Sequence, residues 1–120
     1  MCGIVGYLGN GVAQDALIDG LRRLEYRGYD SAGAAFHDGN AFSLARETGR
    51  VENLAATLRE SNPTSTLGIA HTRWATHGAV TVSNTHPHLS QDGKIALVHN
   101  GVIENYGPLK RILEGKGIEF

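Results

Sequence analysis

Cys2 is the first residue of the sequence whose chemistry asks for an explanation. Removal of an initiating methionine is efficient when the next residue is small, so the mature chain is expected to begin with cysteine. That puts a thiol and a free α-amino group on one residue. The thiolate is the nucleophilic form, and a free cysteine of pKa about 8.5 is mostly protonated near neutrality. An α-amino group of pKa about 7.7–8.0 can act as the local base without a histidine partner. The other role open to Cys2 is that of a buried, inert thiol, since free cysteine is among the most often buried residue types. Position and residue type alone leave both open.

A second constellation is His71-Thr72-Arg73-Trp74-Ala75-Thr76-His77-Gly78. A guanidinium fixed at the end of a strand suits bidentate binding of a carboxylate. Thr76 and His77 follow in a loop ending at Gly78 that could fold over a small ligand. An ordinary surface loop with an exposed arginine is the commoner outcome for such a segment. Asn100-Gly101 is a third candidate: a side-chain amide and a backbone N–H at a strand end can form an oxyanion hole. Asn-Gly is also the commonest kind of tight turn, and taken alone the pair reads as a turn. His86-Pro87-His88 resembles half of a metal site that His71, His77, His99 and Asp92 could complete. Its spacing matches no well-defined zinc pattern, so no metal is expected. The favoured reading is a rigid loop whose histidines bond backbone carbonyls. Arg27 and Asp30, in the segment Tyr26–Ser31, could pair across the turn after a helix, or remain solvated.

Elements that would position these residues follow from periodicity. Ile4 to Leu8 reads as a short buried strand closed by the turn Gly9-Asn10-Gly11. Ala13, Leu17, Leu21 and Leu24 recur at helical spacing, and Gly28 stops that helix. Ala32 to Phe36 and Ala41 to Ala45 flank His37-Asp38-Gly39-Asn40, a hairpin signal. Val51, Leu54, Ala55 and Leu58 mark a second amphipathic helix closed by Asn62-Pro63. Leu67 to Ala70 is a buried strand leading into Arg73. Ala75 to Asp92 is polar and aperiodic, and a long loop of that kind in a compact chain is usually functional or disordered. Ile95 to Val98 is a strand delivering Asn100, Asn105 to Glu114 a third helix, and Ile118 to Phe120 the start of another strand. Short strands, a hairpin and intervening helices predict an α+β fold with antiparallel sheet. A chain stopping on an apolar strand start is expected to be part of a longer protein.

Composition narrows the function classes. The 120 residues are enough for one small domain and its core. Eleven basic against twelve acidic residues leave a formal charge of −1, which gives no footprint for nucleic acid or an anionic membrane. No apolar run approaches the roughly 20 residues that span a bilayer. A single cysteine forms no internal disulfide, and a lone thiol suits a reducing compartment, so the cytoplasm is expected.

Together the segments CGIVGYLG, LRRLEYRGYDSAG, HTRWATHG, NTHPH and HNGVIENY resemble, in order and from Cys2 to Phe120, the glutamine–fructose-6-phosphate aminotransferase family. CGI at an N-terminus is shared by class II glutamine amidotransferases in general, whereas LEYRGYDSAG with HTRWATHG is specific to the sugar aminotransferases. The resemblance implies an N-terminal-nucleophile fold, an αββα sandwich of two antiparallel sheets between helix layers, cut at about its midpoint. Residues 1–120 would be the N-terminal part of the glutaminase domain, with the rest of that domain and the isomerase domains absent. It also implies roles. Cys2 would attack the side-chain amide of glutamine with its own α-amino group as base. Asn100 and the Gly101 N–H would form the oxyanion hole. Arg73 would hold the α-carboxylate of glutamine, with Thr76 and His77 binding nearby, and Trp74 and the loop after it would form a lid that closes over glutamine and helps gate ammonia. No cofactor is implied. Ammonia would pass to the isomerase domains and convert fructose 6-phosphate to glucosamine 6-phosphate, in a homo-oligomer when full length. Val80 and Thr85 depart from the family's usual proline and alanine, and an aspartate that binds the glutamine α-amino group would lie beyond Phe120. Competing readings are another class II amidotransferase, such as one acting on phosphoribosyl pyrophosphate, a metal-dependent hydrolase, and a non-catalytic fragment.

Overall fold

Two apolar helix stripes fix the position of everything else. In the computed structural model, which describes residues 1–120, α1 (Ala13–Leu24) buries Ala13, Leu17, Ile18 and Leu21. Helix α2 (Val51–Ser61) buries Val51, Leu54, Ala55 and Leu58, the i, i+3, i+4, i+7 face the sequence predicts. Asn62 ends α2 in the left-handed region at φ 45°, its N–H donating to the Leu58 carbonyl. Both stripes pack on one face of a four-stranded antiparallel sheet made of β1 (Gly3–Leu8), β2 (Ser31–His37), β3 (Phe42–Thr48) and β4 (Leu67–Arg73), in the spatial order β1-β4-β2-β3. Ala32, Ala34 and Phe36 of β2 and Ala70 of β4 meet the helices in one core cluster, with Val5 and Tyr7 of β1 against its margin.

The predicted hairpin forms as β2–β3. Its turn is fixed by Asp38, whose Oδ1 accepts from the N–H groups of Asn40 and Ala41 at 2.8 Å each, and Gly39 takes φ 95°. Two strands differ from their expected form. β1 is an edge strand rather than a buried one: Val5 and Tyr7 face the core, while Ile4 is 44% and Leu8 80% exposed on the alternate face. Only one side of the strand is covered by helix, and a period of two sends every second side chain away from it. β4 runs three residues beyond the predicted Ala70, because β1 and β2 pair with it on either side as far as Thr72 and Arg73.

That extension carries the polar face. The register sets Ser31 opposite Arg73 and Gly33 opposite His71, so His71 and Arg73 project from the side of the sheet that faces away from the helices. Residues 85–88 lie across this side. Arg46 Nη1 donates to the Thr85 carbonyl at 3.3 Å, and a Cβ on Gly33 would sit 2.0 Å from the His86 carbonyl oxygen. The aperiodic segment 75–92 is ordered by a 3₁₀ turn at Val82–Asn84 and by β5 (His88–Leu89). β5 pairs antiparallel with β6 (Ala96–Leu97), shorter than the predicted strand, as a second, two-stranded sheet. The layering is thus helix, sheet, sheet. Helix α3 (Tyr106–Glu114) forms as predicted but buries none of its residues. Ile118 to Phe120 is not a strand. No neighbouring strand offers it backbone partners, and the chain turns back so that the Ile118 N–H reaches the Leu113 carbonyl at 3.1 Å.

Candidate active site

Because Gly3 is registered with Thr72 at the end of β4, the residue before it lies beside the Arg73–Trp74 peptide. The Trp74 N–H points at Cys2 Sγ at 3.3 Å, and Sγ is 3.7 Å from the Trp74 carbonyl. The thiol, half-buried, is therefore held between one backbone donor and one backbone acceptor. Gly28 makes room for this junction. A Cβ there would lie 2.6 Å from the Arg73 carbonyl carbon and 2.7 Å from the Trp74 nitrogen, so the turn after α1 crosses β4 only as glycine.

Asp30 ties the same junction from the other side. Its backbone N–H donates to the Arg73 carbonyl at 3.1 Å, its Oδ2 accepts from the Ala75 N–H, and its Oδ1 accepts from Ser31 Oγ at 2.9 Å. The Arg27–Asp30 pair considered from sequence is not made. Asp30 is spent on the amide of Ala75, which lies past the end of the β4 ladder, and Arg27 places Nη2 3.8 Å from Met1 Sδ instead. Replacing Asp30 by alanine frees the Ala75 amide. We expect its hydrogen exchange to rise to loop values and stability to fall by about 1.5–3 kcal/mol, the usual weight of a hydrogen bond to a charged group. Unchanged protection at Ala75 would show that the loop is held by other contacts.

Arg73 is 93% buried, at 7% exposure, not the ordinary surface arginine that is the commoner case. Its guanidinium builds the loop that follows: Nη1 donates to the Ala79 carbonyl at 2.9 Å, and Nη2 donates to the His77 and, at 3.5 Å, the Gly78 carbonyls. Gly78 turns at φ 80°, Asn84 Nδ2 donates to the Ala79 carbonyl at 3.0 Å, and Thr76 Oγ1 lies 3.0 Å from His77 Nδ1. Nε–H and one N–H of Nη1 make no hydrogen bond within the chain. Trp74 is half exposed and meets Tyr29 edge-on at 5.4 Å.

Three imidazoles form the floor. His71 and His86 rings lie 4.5 Å apart, as do those of His86 and His88, and His71 Nε2 is 2.7 Å from Asn100 Oδ1. The histidine rings pack against one another, tilted or edge-on, where the sequence suggested bonds to backbone carbonyls, and Nδ1 of both His71 and His86 is buried without a partner. No three His, Cys, Asp or Glu side chains converge where a metal ion would sit. Burial pushes His86 down to about 4, helped by the neighbouring His71 and His88. Burial also lowers His71, and it lowers His88 together with the charges of Arg46 and Arg73. All three are neutral near pH 7. A histidine lowered on folding takes up its proton in the unfolded chain first, so stability is full above pH 6.5 and is lost as pH falls toward 4. Thermal unfolding across that interval should show this acid limb, and His86→Gln should flatten it. A limb unchanged by that substitution would assign it to other groups.

Of the residues predicted from sequence, Cys2, Arg73, Trp74, Thr76, His77 and Gly101 line one cavity of about 240 Å³. Asn100 is not on its wall but bonds His71, which is. Sequence reasoning missed Asp30 as an anchor of the Trp74–Ala75 junction, His71 as the partner of Asn100, and Asn84 as a brace of the loop. A signal existed for His71, which alternation places on the face of β4 that bears Arg73. Asn84 sits in an aperiodic loop and carried none. The cavity is therefore lined by a thiol, a buried guanidinium and a glycine backbone, residue types suited to acyl transfer from a small carboxylate-bearing amide.

An antiparallel sheet with helices on one face, a second sheet on the other and a cysteine at the head of its edge strand is the layout of N-terminal-nucleophile amidotransferase domains. Residues 22–115 match the family model for class II glutamine amidotransferases. The chain belongs to that family. It is 54% identical to glutamine–fructose-6-phosphate aminotransferase (isomerizing) of Mycolicibacterium smegmatis and 53% identical to that of Thermus thermophilus, over all of this chain and 20% of each relative. Among solved structures it superposes on glutamine phosphoribosylpyrophosphate amidotransferase from B. subtilis, in complex with ADP and GMP, with a TM-score of 0.80 at 28% identity. That match covers all of this chain and 26% of the other. The chain thus spans about a fifth of the length of the curated relatives it matches.

Proposed function

We propose that this chain forms the first part of a glutaminase domain that hydrolyses glutamine to glutamate and ammonia through Cys2. Once Met1 is removed, the α-amino group of Cys2 takes the thiol proton as Sγ attacks the side-chain carbonyl of glutamine. The resulting oxyanion is stabilised by the Asn100 side-chain N–H and the Gly101 backbone N–H. Collapse breaks the C–N bond, the proton passes to the leaving nitrogen, and ammonia departs from a glutamyl thioester. Water then attacks the thioester, releasing glutamate and returning the proton to the thiol. Arg73 holds the α-carboxylate with the donors its loop leaves free, Thr76 and His77 bind beside it, and Trp74 closes the mouth.

The observation that carries this reading is the single cavity shared by Cys2, Arg73 and Gly101. Identity of 53–54% to the sugar aminotransferases, against 28% to the phosphoribosylpyrophosphate enzyme, favours fructose 6-phosphate as the acceptor of the ammonia. That step would take place on further domains of a homo-oligomeric enzyme. The lone cysteine favours a reducing, cytoplasmic setting, and no helix is long and apolar enough to cross a membrane. The test is incubation of the whole polypeptide carrying this sequence with glutamine. Equimolar glutamate and ammonia, unaffected by chelators, are expected. Absence of glutamate release, or its dependence on a metal, would reject the assignment.

A further inference from the structure

A carboxamide offers an oxygen on one side and an NH₂ on the other, so an amide that is to donate to a ligand needs something that settles which way it faces. Asn100 Oδ1 lies 2.7 Å from His71 Nε2. His71 is wholly buried, in the strand that β1 and β2 flank on both sides, and its Nδ1 has no partner. A carboxamide oxygen can only accept, so Nε2 carries the proton and the bare nitrogen is Nδ1. Nε2–H then donates to Oδ1, which leaves both N–H bonds of Asn100 without a partner in the chain, between two residues, His71 and Gly101, that do line the cavity. The His71 ring is itself immobilised against His86 at 4.5 Å.

We infer that His71 is a positioning residue, whose Nε2–H fixes the Asn100 carboxamide so that it presents N–H rather than oxygen to the carbonyl oxygen of a bound amide. The inference rests on the glutaminase reading of Asn100. His71 touches no reacting atom in this scheme and acts only through Asn100.

The test uses the whole polypeptide carrying this sequence, with His71→Leu, His71→Gln, Asn100→Ala and the His71→Leu/Asn100→Ala double variant. Leucine fills the site without a donor, whereas the glutamine amide can place an N–H near the position of Nε2. Removal of an oxyanion-hole donor lowers kcat about 10²–10³-fold, and that is expected for Asn100→Ala. His71→Leu should lose about 10–100-fold in kcat, part of that same effect, with the KM for glutamine changed less than about threefold. His71→Gln should recover most of the rate. In the double variant His71→Leu should add almost nothing to Asn100→Ala, since both act through one group. Alkylation of Cys2 by iodoacetamide develops no oxyanion and should run at the wild-type rate throughout. Should His71→Leu fail to fold, His71→Asn replaces it, its shorter amide falling short of Oδ1. Unchanged kcat in the donor-less variant, additive losses in the double variant, or equal impairment of His71→Gln with normal alkylation would overturn the inference. A wild-type protein that releases no glutamate, or an Asn100→Ala variant at full rate, would instead overturn the glutaminase reading itself.

Discussion

Under the proposed glutaminase function, Cys2→Ala should abolish glutamine hydrolysis, with a loss of at least about 10³-fold in kcat, as expected when a covalent nucleophile is deleted from machinery that acts as a unit. The thiol contributes little to packing. It is half-buried and touches the chain through the Trp74 peptide alone among its hydrogen-bond partners, so the alanine variant should melt within about 1 kcal/mol of wild type. If the whole polypeptide acts as the proposed sugar aminotransferase, its reaction with free ammonia and its binding of sugar phosphate should survive. Glutamate release, melting temperature and ammonia-dependent turnover on one preparation decide the matter. Loss of folding and of sugar binding together with hydrolysis would make Cys2 a structural residue.

Gly33→Ala produces the second large effect, and by a different route. Gly33 sits in the middle of β2, registered with His71 on one side and Arg46 on the other. A methyl group there would lie 2.0 Å from the His86 carbonyl oxygen and 3.1 Å from that of Ala45. Neither is the end of a flexible side chain, so the segment bearing His86 must move off the sheet. Overpacking of this kind costs about 3 kcal/mol. The displaced segment also carries the imidazole against which the His71 ring packs at a tilt, so activity should fall with stability. Gly6→Ala is the matching control, since a Cβ at that position of β1 meets nothing within 4 Å. Equal melting temperatures for the two variants would show that residues 85–88 do not depend on close approach to the sheet.

What could be read in advance follows the range over which each signal acts. The stripe Val51, Leu54, Ala55, Leu58 is local, and all four residues are buried on α2. The Asp38-Gly39 turn is local, and the hairpin forms in register around it. The extent of β4 was underestimated because its last three residues, His71-Thr72-Arg73, are polar. They are strand because two neighbours pair with them, which composition does not encode. Ile118 to Phe120 fails for the converse reason, having β-forming residues and no neighbouring strand. The buried reading of β1 assumed cover on both faces, and only the helix face has it.

The site was legible as residue types more than as contacts. Cys2, Arg73, Trp74, Thr76, His77 and Gly101 were singled out from chemistry and resemblance, and they share a cavity. Asn100 was singled out with them, but its link to His71 joins a strand to a loop 29 residues away. The partners of Asp30 likewise depend on where β4 stops. Such contacts are set by tertiary register, and no window of sequence contains them.

The sequence has a single tryptophan, and that residue is Trp74, half exposed on the cavity wall and edge-on to Tyr29. Its indole emission is therefore a native fluorophore at one address, adjacent in sequence to the guanidinium and in hydrogen-bond reach, through its backbone, of the thiol. Occupancy of the cavity can be titrated by intensity and wavelength without attaching a dye, in any longer polypeptide that adds no second tryptophan.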